Sequence, residues 1–279
     1  MATTAVRSVG SIELATLEAG QGGRPLLLSH GFTGAKEDFA DCIDALADGG
    51  WWVVAPDLRG HGFSSQPDEE GAYSIAIYAD DLLGLVDGLG WDRFSLLGHS
   101  MGGMIAQVMA LQAGDRIQRL VLMNTHHGPI QAVDADTIAI AVDVLRSQGL
   151  PALLELISLL PAAERSPSDM RARAERPGYA EFSDAKVHRC APAMYAAMAQ
   201  ELIGLEDRLE ALASLARPTL IVVGDEDKLM LGASHRMAEA IPCAQLAVIA
   251  DAAHSPQFEN PQGWWDAIAP FLSAELVVD

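Results

Sequence analysis

The chain predicts an α/β fold built on a doubly wound, mostly parallel sheet. Three observations carry that prediction. Short apolar runs alternate with amphipathic stretches through the first half. Most of these runs are unbroken, as expected when helices cover both faces of a parallel sheet. The same rhythm returns at Pro218 after a long interruption. Strand followed by helix, repeated, argues for helical layers around one sheet.

The elements follow in order. Ala5–Val9 and Glu13–Glu18 read as an antiparallel edge pair. Apolar runs ending in turn residues read as strands: Pro25–Ser29, Trp51–Ala55, Phe94–Gly98, Leu120–Met123, Thr219–Val223 and Leu246–Ile249. Between them, Phe39–Asp48, Ile75–Gly88, Gly102–Gln112, Ser234–Ile241 and Pro261–Leu272 carry helical patterns. From about Gly128 to Leu212 the strands stop. Val142–Leu145, Leu153–Leu160 and Met194–Leu205 read there as short amphipathic helices, with Pro151, Pro161, Pro167, Pro177 and Pro192 as breaks. An insertion of this kind usually covers the carboxyl edge of the sheet, where ligands bind. The division expected is a core of residues 1–127 and 212–279 with a helical cap of residues 128–211.

Composition narrows the function. The 279 residues hold 18 basic and 38 acidic side chains, a formal charge of −20, and half are hydrophobic. That is a globular composition whose field repels phosphate backbones and anionic membrane surfaces. Neither nucleic acid nor a membrane is an expected partner. Cys42, Cys190 and Cys243 are odd in number and widely spaced, so no disulfide framework or zinc knuckle is indicated. No signal-peptide core stands at the start, and no apolar run approaches the ~18 residues of a membrane span. The expected location is the cytoplasm.

The most informative segment is Gly98-His99-Ser100-Met101-Gly102, between the apolar run Phe94–Gly98 and a helical pattern. It fits G-x-S-x-G. A sharp strand-to-helix turn lifts the central side chain clear of the sheet, and crowding demands small residues two before and two after it. Gly98 and Gly102 meet that demand. The helix N-terminus aims its free N–H groups at the Ser100 hydroxyl.

On these residues the chain resembles the α/β-hydrolase superfamily over residues 5–127 and 212–276. The resemblance implies an eight-stranded sheet, a cap after the sixth strand, and a Ser–Asp–His triad in that chain order. His30-Gly31-Phe32-Thr33-Gly34 follows a strand, and in the family the residue after His-Gly gives one oxyanion-hole N–H. That position is Phe32; Met101, after the nucleophile, gives the other. Two such donors are worth roughly 3–4 kcal/mol each. His30 is read as a brace for the loop. A single glycine before Phe32 departs from the glycine-rich form of the hole. Asp57-Leu58-Arg59-Gly60-His61-Gly62-Phe63-Ser64 also matches, and reads as structural, with Asp57 and Arg59 making buried polar links.

Gly224-Asp225-Glu226-Asp227 follows the run Thr219–Val223. The family places the acid three residues after the glycine, at Asp227, with Asp225 as its rival. Of the eight histidines, His235 and His254 alone lie beyond it, and His235 falls in a helical pattern. His254 sits in a loop, with Ala253 where the family often has glycine. Asn124 occupies the place of an alternative acid and is not a carboxylate. His126-His127 lacks the further ligands a metal would need, and no metal or cofactor is expected.

A serine hydroxyl needs a base, and the base needs an orienting carboxylate. Ser100, His254 and Asp227 supply those roles. The leading expectation is a hydrolase of small to medium, largely apolar, neutral carboxylic esters. Carbon–carbon hydrolysis, lactone opening and non-hydrolytic lyase or cyclase chemistry are the alternatives, since one triad serves all of them. Dehalogenases and epoxide hydrolases use Asp where this chain has Ser100. Met194, Met198, Leu156, Ile157 and Leu160 are candidate pocket walls.

Overall fold

A computed structural model describes residues 1–130, 134–159 and 165–274. Eight strands form one sheet: β1 (Thr3–Val9), β2 (Ile12–Ala19), β3 (Arg24–Ser29), β4 (Trp51–Pro56), β5 (Phe94–His99), β6 (Ile117–Met123), β7 (Thr219–Gly224) and β8 (Ala244–Ile249). Their order is β1-β2-β4-β3-β5-β6-β7-β8. β1 and β2 form an antiparallel edge pair, β2 runs antiparallel to β4, and the remaining neighbours are parallel. The sheet is therefore the one the apolar runs predict, with strand ends extended by a few residues.

Side chains alternate across each strand, which explains the unbroken apolar runs. Leu26 and Leu28 of β3 join Val53, Leu97 and Val121 on one face. Helices α1 (Ala40–Asp48) and α12 (Pro261–Ser273) cover that face through Ile43, Leu46, Trp264 and Ile268. Leu27 of β3 faces the other way, with Val54, Leu96 and Leu122. There α2 (Ile75–Gly88), α3 (Met101–Ala113) and α10 (Leu231–Ala240) close the layer through Tyr78, Leu82, Met104, Ile105 and Met237. Helices cover both faces of the central strands, so alternation of polar and apolar residues there would leave polar groups buried.

Between β6 and β7 lie α4 (Ala135–Gln148), α5 (Leu150–Leu159), α6 (Pro167–Glu175), α7 (Tyr179–Ala185), α8 (Pro192–Gly204) and α9 (Leu209–Leu212). A single helical turn, α11 (Pro256–Glu259), precedes α12. Three of the expected breaks are helix starts. Pro167 and Pro192 open α6 and α8, and Pro151 stands in the first turn of α5. Proline fits there because the first N–H groups of a helix have no internal partner. Pro161 and Leu160 fall outside the described residues. No helix among the described residues is long and apolar enough to cross a membrane.

Candidate active site

The chain leaves β3 for β4 on one side and returns to β5 on the other. This reversal opens a crevice at the strands' carboxyl ends, the usual ligand position in such sheets. Ser29 pairs with Gly98 across it, so the loops carrying Phe32 and Ser100 start side by side.

Ser100 occupies the turn from β5 to α3 with φ 55° and ψ −119°, a region non-glycine residues rarely adopt. Its N–H donates to Met123 O at 2.9 Å, and Thr125 Oγ1 donates to its carbonyl at 2.7 Å. The neighbouring glycines are steric necessities. A Cβ on Gly98 would stand 2.2 Å from Gly102 O, and one on Gly102 2.3 Å from Ser29 O.

Ser100 Oγ donates to His254 Nε2 at 3.0 Å, and His254 Nδ1 donates to Asp227 Oδ2 at 2.8 Å. Of the three adjacent carboxylates, Asp225 is exposed and accepts from Ala252 N, whereas Glu226 accepts from Ser168 N at the start of α6. Asp227 alone is buried and meets the imidazole. Burial raises its pKa, but hydrogen bonds and charge from His254, with a bond from Asn124, outweigh this and hold it below the ordinary value. His235 lies on α10, and it is His254 that bonds Asp227 and Ser100. Ala253 needs no positive φ, so a glycine there is dispensable.

The backbone N–H groups of Phe32 and Met101 make no hydrogen bond among the described residues. Both loops are firmly braced. His30 Nε2 accepts from Leu58 N at 3.0 Å and its Nδ1 donates to Gly31 O at 2.8 Å. Burial brings its pKa down to about 3, so the ring is neutral. His61 stands with Nε2 2.6 Å from Phe32 O. Asp57 is a buried link and Arg59 a half-buried one, each to other partners. Asp57 accepts from Lys36 Nζ and N, and Arg59 pairs with Asp81.

Sequence reasoning missed two contributors. Asn124 donates to Asp227 Oδ2, and His99 reaches the His254 carbonyl. Position after a strand was a signal for the first; nothing in the residue pattern pointed to the second. His126 and His127 stack, and His127 sits between Asp207 and Arg236, joining the two ends of the helical insertion. No group of three or more His, Cys, Asp or Glu among the described residues could hold a metal.

A cavity of about 360 Å³ adjoins the Phe32 side chain. α4 contributes Thr137, Ile138 and Ala141, and α8 contributes Tyr195 and Leu202. Ile157 of α5 lines it as expected. Met194 and Met198 do not. Both are fully buried in the core beneath α8, because an apolar helical stripe packs inward first. Leu156 is not among the lining residues either.

A family model of the alpha/beta hydrolase fold matches residues 24–261. The chain belongs to the α/β-hydrolase family. This α/β hydrolase is 30% identical over 271 residues to the 2-(acetamidomethylene)succinate hydrolase of Mesorhizobium japonicum, covering 95% of this chain and 94% of that protein. Its structure matches a thermophilic esterase from Thermogutta terrifontis at TM-score 0.82, with 30% identity over 97% of this chain and 98% of the other. The enol-lactonase of Burkholderia xenovorans LB400 matches at TM-score 0.82, with 26% identity over 97% of this chain and all of the other. A shorter match to epoxide hydrolase A of Mycobacterium tuberculosis has 37% identity over 114 residues. It spans 40% of this chain and 35% of that protein.

Proposed function

We propose that this protein is a serine hydrolase that cleaves carboxylic esters of small to medium, largely apolar, neutral substrates through an acyl-enzyme. The observation that carries this reading is the hydrogen-bonded line from Ser100 through His254 to Asp227, beside two unused N–H donors. His254 Nε2 takes the Ser100 proton as Oγ attacks the carbonyl carbon. The carbonyl oxygen gains the displaced electron pair, and the N–H groups of Phe32 and Met101 hold it. Asp227 keeps the imidazole in the productive tautomer and stabilises the imidazolium. His254 then passes its proton to the leaving alcohol as the C–O bond breaks. The same ring deprotonates a water, which releases the acid and restores Ser100. The His254 side chain is 44% exposed, so water can reach it.

The cavity supports the apolar, neutral part of the reading. None of the described residues lining it is charged, and an unpaired carboxylate buried there would cost several kcal/mol. Since α4, α5 and α8 supply most of its walls, we assign residues 128–211 as a cap over a core of residues 1–127 and 212–279. Lactone opening is the second reading, favoured by the likeness to the enol-lactonase. A lactone is an ester closed on itself, and the same steps serve.

The test combines a fluorophosphonate probe with a panel of esters, lactones and a vinylogous diketone. Mass spectrometry should find one adduct, on Ser100, and turnover of esters or lactones that disappears in Ser100→Ala. An active Ser100→Ala variant would overturn the covalent mechanism. Turnover of the diketone alone would overturn the ester assignment.

A further inference from the structure

We infer that His99 and Asn124 are positioning residues that clamp the backbone on both sides of His254. The inference rests on the reading of Ser100, His254 and Asp227 as nucleophile, base and acid. His99 ends β5, one residue before Ser100. Its Nε2–H donates to the His254 carbonyl at 2.7 Å. Asn124 follows β6, anchored by its own N–H to Val222 O at 2.8 Å. Its side-chain amide gives one N–H to Asp227 Oδ2 and the other to Ala253 O, each at 2.7 Å.

Two peptide groups flank the His254 Cα. The Ala253 carbonyl belongs to the first and the His254 carbonyl to the second. Asn124 holds one and His99 the other, so φ and ψ of His254 are both fixed. The ring then retains only its side-chain torsions, and the bond to Asp227 sets those. Glu259 reinforces the loop by accepting from Ala253 N at 2.6 Å and Ser255 N at 3.2 Å.

A second observation separates this role from plain packing. The other polar atoms of the pair, His99 Nδ1 and Asn124 Oδ1, are buried without a partner among the described residues. Apolar side chains of similar shape would fill these places without leaving orphaned acceptors. What His and Asn add is the donor on the other side of each group. Burial brings the pKa of His99 down to about 3, leaving a neutral ring. With ring centroids 5.1 Å apart, a neutral His99 places no charge against an imidazolium at His254.

The test compares His99→Phe, His99→Gln and Asn124→Ala with the parent in ester turnover, thermal unfolding and the NMR signal of the His254 Nδ1 proton. His99→Phe and Asn124→Ala should lower kcat by about 10- to 100-fold at nearly unchanged KM, the scale of a slightly misplaced base. The Nδ1 proton signal should move with them. His99→Gln retains an N–H donor and should recover most of the loss. Folded His99→Phe and Asn124→Ala variants with parental kcat would overturn the clamp, as would a Gln variant no better than Phe. If His99→Phe does not fold, His99→Met provides the donorless comparison. Activity surviving in Ser100→Ala would instead reject the underlying assignment of the nucleophile.

Discussion

Asp227 differs from its neighbours Asp225 and Glu226 in burial more than in chemistry. Its carboxyl is held below the ordinary carboxylate range despite desolvation, because His254 and Asn124 bond to the ionised form. A folded-state value below the unfolded one contributes stability that is fully present above the unfolded pKa of about 3.9. That contribution is lost as pH falls through the folded value. Asp227→Asn should therefore flatten this acid limb in urea unfolding followed against pH. It should also lower kcat by about 10⁴-fold, since an amide selects the wrong imidazole tautomer. A variant with both parental acid sensitivity and parental kcat would contradict the assigned role. Ser100, Asp227 and His254, which hydrogen bonds bring together, could be picked out because each lies on a turn or loop that follows a recognisable strand. Asn124 was seen only as a missing carboxylate. Its donor role depends on the pairing of Met123 with Val222, and no local pattern announces that register.

At the scale of elements, the β5–α3 turn is the most sequence-determined part of the molecule, since any Cβ at Gly98 or Gly102 strikes backbone. The helical insertion is the least. α6 and α7 went unrecognised because α6, PSDMRARAE, is short and polar and carries little apolar period. The cavity walls were also hard to read, because a helix's inward face and its pocket face are separated by a rotation that tertiary packing sets. Met194 went to the core and Tyr195 to the cavity, one residue apart. Ala141 on α4 offers a test of the cavity. Ala141→Trp should fill much of it, raising KM for bulky esters roughly tenfold, the scale of a lost methylene or two. Acetate-sized esters should be unaffected. A comparison of kcat/KM across an ester size series reads this directly, and equal effects on all sizes would place the substrate elsewhere.

For the molecule as a whole, the charge of −20 acquires a location at the site. Asp225, Glu226 and Asp227 put three carboxylates on the loop that carries the proposed acid, of which Asp227 meets His254, while the described residues lining the cavity include none. Neutral esters should be favoured over matched anionic ones, chiefly through KM. The difference should shrink as salt is raised, because screening over about 10 Å at 0.1 M weakens a distributed field. Equal turnover of the pair at low salt would reduce the charge to a matter of solubility. The overall architecture was legible at this scale: unbroken apolar runs needed two helical layers, and both are present.

The hydrogen bond between Ser100 and His254 joins residues 154 apart in the chain. Contacts of that separation close large loops and form late in folding. On the proposed mechanism, until β7 and β8 pair beyond β6 the polypeptide would hold the proposed nucleophile without its base. On that mechanism a nascent or partly unfolded chain would be chemically idle, unable to acylate itself on an ester. Reactivity and completion of the sheet become a single event.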